Sequence, residues 1–269
     1  MKKLFILTIT SLLFITLSAC GGSDTYTVGA SPTPHADILR EARKQMDDEY
    51  DFEIREFNDY VMPNTALDEE EIDANYFQHI PYLESQVEEN GYDFENVGGV
   101  HIEPIGLYSK THDSLDNLPE DLEIIISNSP SDRPRLLNVL EEVGLITLND
   151  DASEDAITDS DVGDLPELFE SDQTITFEEV APEQLYSNYD NESGDLVLIN
   201  GNFALDHELD PSEDAIALES KDSPYVNVLV AREDNADDAF IEALHEALTS
   251  DEVKEWIEDE YEGSVVIAD

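Results

Sequence analysis

Cysteine occurs once, at Cys20, so no internal disulfide can staple the fold. Cations are almost as scarce: 12 lysines and arginines stand against 66 aspartates and glutamates, a formal net charge of −54. That imbalance excludes recognition of nucleic acid or of an anionic membrane surface by charge. No Gly-rich phosphate loop, G-x-S-x-G elbow or H-E-x-x-H pair is present, and the six histidines fall at no metal-ligand spacing. No loop carries the alternating oxygen ligands and central glycine of a calcium site. The expectation is therefore a protein that is not an enzyme and has neither cofactor nor metal. Carboxylate pairs are so common that finding one carries no information.

What is present argues for a folded chain. Hydrophobic residues make up 40% of the sequence and group in periodic runs, which a disordered acidic segment does not do. The acids fall on polar helix faces and in loops such as 149–164, NDDASEDAITDSDVGD, and read as a whole-surface adaptation to high salt. At the N-terminus, Lys2 and Lys3 precede an apolar run over 4–17 and then Leu17-Ser18-Ala19-Cys20. A basic head, a short apolar stretch and small residues before the cut describe an export signal over 1–19, too short to span a membrane. The site resembles the bacterial lipobox, which implies that Cys20 carries the lipid anchor and that 20–24 is a tether.

The elements follow in an order that suggests two lobes. A strand at 26–30, a helix over 35–49 opened by Thr33 and Pro34, a strand at 52–57, a turn at 60–64, a short helix at 65–71 and the stretch 72–83, IDANYFQHIPYL, give a β-α-β-α-β-α order. The segment 97–109 is extended and long enough to leave one sheet and enter another. The run 123–127, EIIIS, suits the middle of a parallel sheet. A helix from Ser131, strands at 174–180 and 195–199 with a helix between them, a second extended run at 225–231 and two terminal helices complete the chain. The expected fold is α/β: two lobes, 25–107 plus 226–269 and 108–225, each a mainly parallel sheet flanked by helices. The two extended segments form the hinge, and the ligand lies in the cleft.

Tyr76, Phe77, His79 and Tyr82 lie at a strand-to-helix turn, where they either wall an apolar pocket or simply pack in the core. Arg133 and Arg135 sit in the first turn of a helix, against the macrodipole. Either they meet an anionic ligand group there or they pair with surrounding acids. Asn200-Gly201-Asn202 follows a strand end, and Asn227 lies in the second crossover. Their amides can hold both ends of an amino acid, and Asn-Gly also reads as a plain turn.

Longer strings carry a specific resemblance. Val28-Gly29-Ala30 with Pro34-His35, the run from Tyr60 to Leu67 (YVMPNTAL), the run from Ile72 to His79 (IDANYFQH), the run from His101 to Ser109 (HIEPIGLYS), the run from Ile199 to Ala204 (INGNFA) and the run from Ser223 to Val230 (SPYVNVLV) resemble the NlpA family of methionine-binding lipoproteins. The likeness covers nearly the whole mature chain. It implies a two-lobed periplasmic-binding-protein fold of type II and a lipid-anchored receptor on the extracytoplasmic face of the membrane. Such a receptor captures methionine, or as the alternative another small amino acid or a methionine-containing peptide, and delivers it to an ABC importer. It further implies that Tyr60, Phe77, His79 and Tyr82 surround the thioether, that Arg135 clamps the carboxylate and that Asn200 and Asn227 complete the polar end. The chain departs from the family at Pro134, where glycine is usual, and at Asn128-Ser129-Pro130.

The surface charge makes a testable demand. Raising NaCl shortens the screening length from ~10 Å at 0.1 M to ~3 Å at 1 M, so the melting temperature should rise with salt. A melting temperature that is flat or falls would overturn the high-salt reading of the surface.

Overall fold

The computed structural model describes residues 25–46, 50–221 and 223–268; the expected export signal and Cys20 lie outside them. Four strands of the first sheet come early in the chain: β1 (Tyr26–Ala30), β2 (Phe52–Glu56), β3 (Ala74–His79) and β4 (Phe94–Ile102). The chain then enters a second sheet through β5 (Gly106–Tyr108) and β6 (Asp121–Ser127). After a separate ribbon of β7 (Thr147–Leu148) and β8 (Phe169–Glu170), it adds β9 (Thr174–Val180), β10 (Leu196–Ile199) and β11 (Ala217–Leu218). Strands β12 (Val226–Arg232) and β13 (Val266–Ile267) return to the first sheet. The orders are β13-β4-β12-β3-β1-β2 and β11-β5-β10-β6-β9.

The helices are α1 (Asp37–Ala42), α2 (Met62–Asp68), α3 (Ile80–Asn90), α4 (Arg133–Glu142), α5 (Glu154–Asp159), α6 (Leu185–Asp190), α7 (Gly201–Asp206), α8 (Pro211–Asp214), α9 (Ala239–Leu248) and α10 (Asp251–Tyr261). They cover the sheets because the central strands are apolar on both faces. Along β12, Leu229 and Ala231 join one core with Ile38, Phe240 and Leu244, while Val228 and Val230 join another with Leu67, Ile72 and Leu83. The second sheet repeats this: Ile124, Ile126, Leu196 and Leu198 face one core, and Ile125, Val197 and Ile199 face the other. A strand buried on both sides needs an unbroken apolar run, which is what EIIIS and VNVLVA supply.

The α/β, two-lobed class agrees with the sequence, but the sheets are mixed rather than mainly parallel. Strands β2, β1 and β3 run parallel, as do β9, β6 and β10, whereas β12 pairs antiparallel with β3 and β4, and β5 pairs antiparallel with β10 and β11. Segments reached by an extended crossover, with no covering helix to turn them, are free to pair this way. The turn expected at 60–64 is mostly helix: α2 starts at Met62, because Pro63 is suited to a first helical turn and Asp59 Oδ1 accepts the Val61 and Met62 N–H groups at 2.8 Å. A helical turn over Pro32–Ala36 precedes α1.

Gly106 is fixed by its neighbour. A Cβ there would lie 2.5 Å from Cε2 and Cζ of Tyr108, whose ring folds back across it and is fully buried. Gly106→Ala should therefore destabilise the fold by ~1–3 kcal/mol, the usual cost of overpacking. Urea denaturation checks this, and an unchanged midpoint would mean that the ring moves aside freely.

Candidate functional site

The chain reaches the site from both lobes. Pro81 in the first turn of α3 and the left-handed Gly91 at its end bound a helix whose N-cap is His79, at the C-terminal end of β3. His79 Nδ1 accepts the Tyr82 N–H at 3.1 Å, so the ring proton sits on Nε2, which donates to Asp132 Oδ1 at 3.0 Å. His79 is thus a satisfied neutral imidazole in this arrangement. The buried amides of Asn64, Asn75 and Gln78 bond one another at 2.8 to 3.0 Å and fasten α2 to β3. From the other lobe, Asn200 follows β10 as the N-cap of α7 and donates its Nδ2 to Asp132 Oδ2 at 3.1 Å.

Tyr60, Phe77, His79, Tyr82, Arg135, Asn200 and Asn227, the seven residues expected at the site, all line one cavity. Tyr60, Phe77 and Tyr82 stand with ring centres 6.0 to 6.2 Å apart. Tyr60 donates to Asn202 Oδ1 at 2.6 Å, and Tyr82 donates to the Tyr60 carbonyl at 2.9 Å. Asn202 lines the cavity too. Arg133 does not: its Nε reaches Glu179 at 3.0 Å and its Nη1 the Thr158 and Ser160 carbonyls at 3.0 and 2.6 Å.

Arg135 is 4% exposed and already paired. Its Nε and Nη2 donate to the two carboxylate oxygens of Glu219, the former at 3.3 Å, and Nη2 also reaches the Glu103 carbonyl at 2.9 Å. Its guanidinium lies 4.4 Å over the Tyr225 ring. The bidentate edge expected for a ligand carboxylate is therefore used by Glu219, leaving Nη1 without a hydrogen bond among the described residues. Burial tends to lower the Arg135 pKa, but Glu219 holds it above the ordinary value.

Glu103 and Asp132 are cavity residues that sequence reasoning missed. Burial tends to raise the Asp132 carboxyl, but the His79 bond, nearby Arg135 and the Asn200 amide hold it below the ordinary value. At Glu103 burial prevails and the pKa is raised, although His35, Arg135 and the Asn202 backbone N–H act the other way. Glu103 Oε1 lies 3.1 Å from His35 Nε2 and 2.7 Å from His101 Nε2. The absence of metal-like histidine spacing in the sequence is thus offset in space, where ligand atoms of His35, His101 and Glu103 lie within 4.8 Å of one another. Hydrogen bonding accounts for most of these contacts: Tyr76 donates to His101 Nδ1, His101 Nε2–H donates to Glu103, and His35 Nε2–H is held at 3.1 Å by Asn227 Oδ1.

Burial lowers the pKa of His35 to about 4 and that of His101 to about 3, from an ordinary 6.5. Because the unfolded histidines accept protons that the folded ones refuse, stability should fall as pH drops from about 6.5 toward those values. His101→Gln, which keeps a donor for Glu103, should flatten the fall in melting temperature over that range. An equally steep curve would show that His101 does not set it.

The comparisons give this geometry a lineage. The model of the NlpA lipoprotein family matches residues 26–268. The Methionine-binding lipoprotein MetQ of Bacillus subtilis is 41% identical over 276 residues, covering 99% of this chain and 98% of the relative. A nutrient binding protein from Burkholderia cenocepacia, solved bound to methionine, superposes with a TM-score of 0.83 at 36% identity, covering 91% of this chain and all of that one. A pheromone cOB1 precursor/lipoprotein from Enterococcus faecalis gives 0.84 at 40% identity, over 91% of this chain and all of that one. The chain belongs to the NlpA lipoprotein family.

Proposed function

We propose that the protein captures methionine on the extracytoplasmic face of a membrane, anchored there through Cys20, and passes it to an ABC importer. The observation that carries the reading is a cavity that joins an aromatic box to a polar half, in a family with a methionine-bound member. A thioether gains from contact with aromatic rings, which suits Tyr60, Phe77 and Tyr82, with His79 at their edge. The polar half offers Arg135 Nη1 and Asn202 Nδ2 as donors to a carboxylate, with Asn200 and Asn227 beside them. Lobes 25–107 plus 226–269 and 108–225 close on the ligand about their crossovers, and the ligand stabilises the closed form by its differential affinity for it.

Mass spectrometry of ligand released on denaturation should find methionine; a different small molecule would overturn the reading. Titration calorimetry then places the ends of the ligand. Arg135→Gln combined with Glu219→Gln, which leaves no buried charge unpaired, should weaken methionine binding about tenfold to a hundredfold, the loss of one charge-assisted hydrogen bond. Arg133→Ala should change it less than about threefold, since Arg133 lies outside the cavity. Phe77→Ala should narrow the preference for methionine over alanine. Equal small effects at Arg135 and Arg133 would put the carboxylate elsewhere.

A further inference from the structure

Among the described residues only three carboxylates are buried, Glu103, Asp132 and Glu219, and all three meet at this site. Two of them line the cavity, and the third engages the guanidinium of the single lining cation, Arg135. The neighbouring imidazoles do not redress the balance. His79 is neutral, with Nδ1 accepting and Nε2 donating; His101 presents its Nε2–H to Glu103 as a neutral donor, and that of His35 goes to Asn227 Oδ1.

Unfilled acceptors accompany that charge. Asp132 Oδ1 and Oδ2 hold one protein donor each, His79 and Asn200, and a carboxylate oxygen accepts two. Asn200, having spent its Nδ2 on Asp132, leaves its buried Oδ1 without a partner. Donors stand there too: the buried Asn202 Nδ2 is unpartnered, and Arg135 Nη1 and Asn227 Nδ2 make no hydrogen bond among the described residues, so the charge rather than the donor count favours a cation.

We propose that Asp132 and Glu103, with the unpartnered Asn200 carbonyl, make a positively charged amine the indispensable group of the ligand and its carboxylate the dispensable one. This rests on the methionine reading of the site. A ligand ammonium brings three N–H donors and the charge that three buried carboxylates facing one guanidinium lack. A ligand that keeps only its carboxylate adds a further anion to that cluster, and like charges at close range without water are strongly disfavoured.

The test compares three ligands on the intact folded protein at one fixed salt concentration: L-methionine, L-methioninamide, which is cationic and lacks the carboxylate, and N-acetyl-L-methionine, which is anionic and lacks the amine. Calorimetry should place the amide within about tenfold of methionine and the acetylated form at least about a hundredfold weaker. Asp132→Asn, which keeps the shape and gives up the charge, should close the gap between the amide and the acetylated form by about tenfold or more. Because the wild-type comparison stands alone, a variant that fails to fold does not spare the proposal. N-acetylmethionine binding as tightly as methioninamide, with methionine bound, overturns this inference alone. If none of the three binds, the methionine reading fails and this inference with it.

Discussion

A carboxylate can be buried in a protein only where donors surround it, and here that requirement organises the centre of the molecule. Glu103 gathers His101 and the Asn202 N–H, with His35 3.1 Å away on Asn227; Asp132 gathers His79 and Asn200; Glu219 gathers Arg135, Ser223 and the Ile105 N–H. Each set draws on distant parts of the chain. His79 comes from the first sheet, whereas Asp132 and Asn200 both follow strands of the second, so it is the His79–Asp132 bond that crosses the cleft. The Glu219 set joins α4 to both extended crossovers, through Ile105 on one and Ser223 on the other. Losing one partner would leave a charge buried without compensation, which penalises any arrangement of the lobes that separates them unless a ligand or water takes its place.

Much of this was legible in the sequence because it was local or periodic. The apolar runs EIIIS and VNVLVA marked strands buried on both faces, and the aromatic residues between Tyr76 and Tyr82 marked a strand-to-helix turn that walls the cavity. Six of the seven expected side chains stand near a strand end or in the first turn of a helix; Tyr60, implied by the resemblance alone, reaches the same space from the bend between β2 and α2. The rest was hidden for two physical reasons. Asp132 and Glu103 are two acids among sixty-six, and nothing in composition separates an acid that will be buried from one that will be solvated. The partner of Arg135 was equally out of reach, since Glu219 lies in another part of the chain and only the crossovers bring it close. Pairing direction failed for a related reason: alternation says which face a strand buries but not which way its neighbour runs.

The same side-chain chemistry therefore serves two opposed ends in this chain. On the surface the carboxylates outnumber their cations, their pairs are exposed ones such as Arg40 with Asp37 and Arg55 with Glu71, and such pairs add little. Ions in the solvent must screen the remainder. At the centre, water and mobile ions are largely excluded, and fixed N–H groups do that work instead. A chain that has nearly given up lysine and arginine has few cations with which to neutralise a buried acid. It uses neutral imidazoles, amides and backbone N–H groups, which donate hydrogen bonds without cancelling charge. The residual negative charge of the cavity follows from that substitution, and it is carried by the same groups that hold the two lobes together.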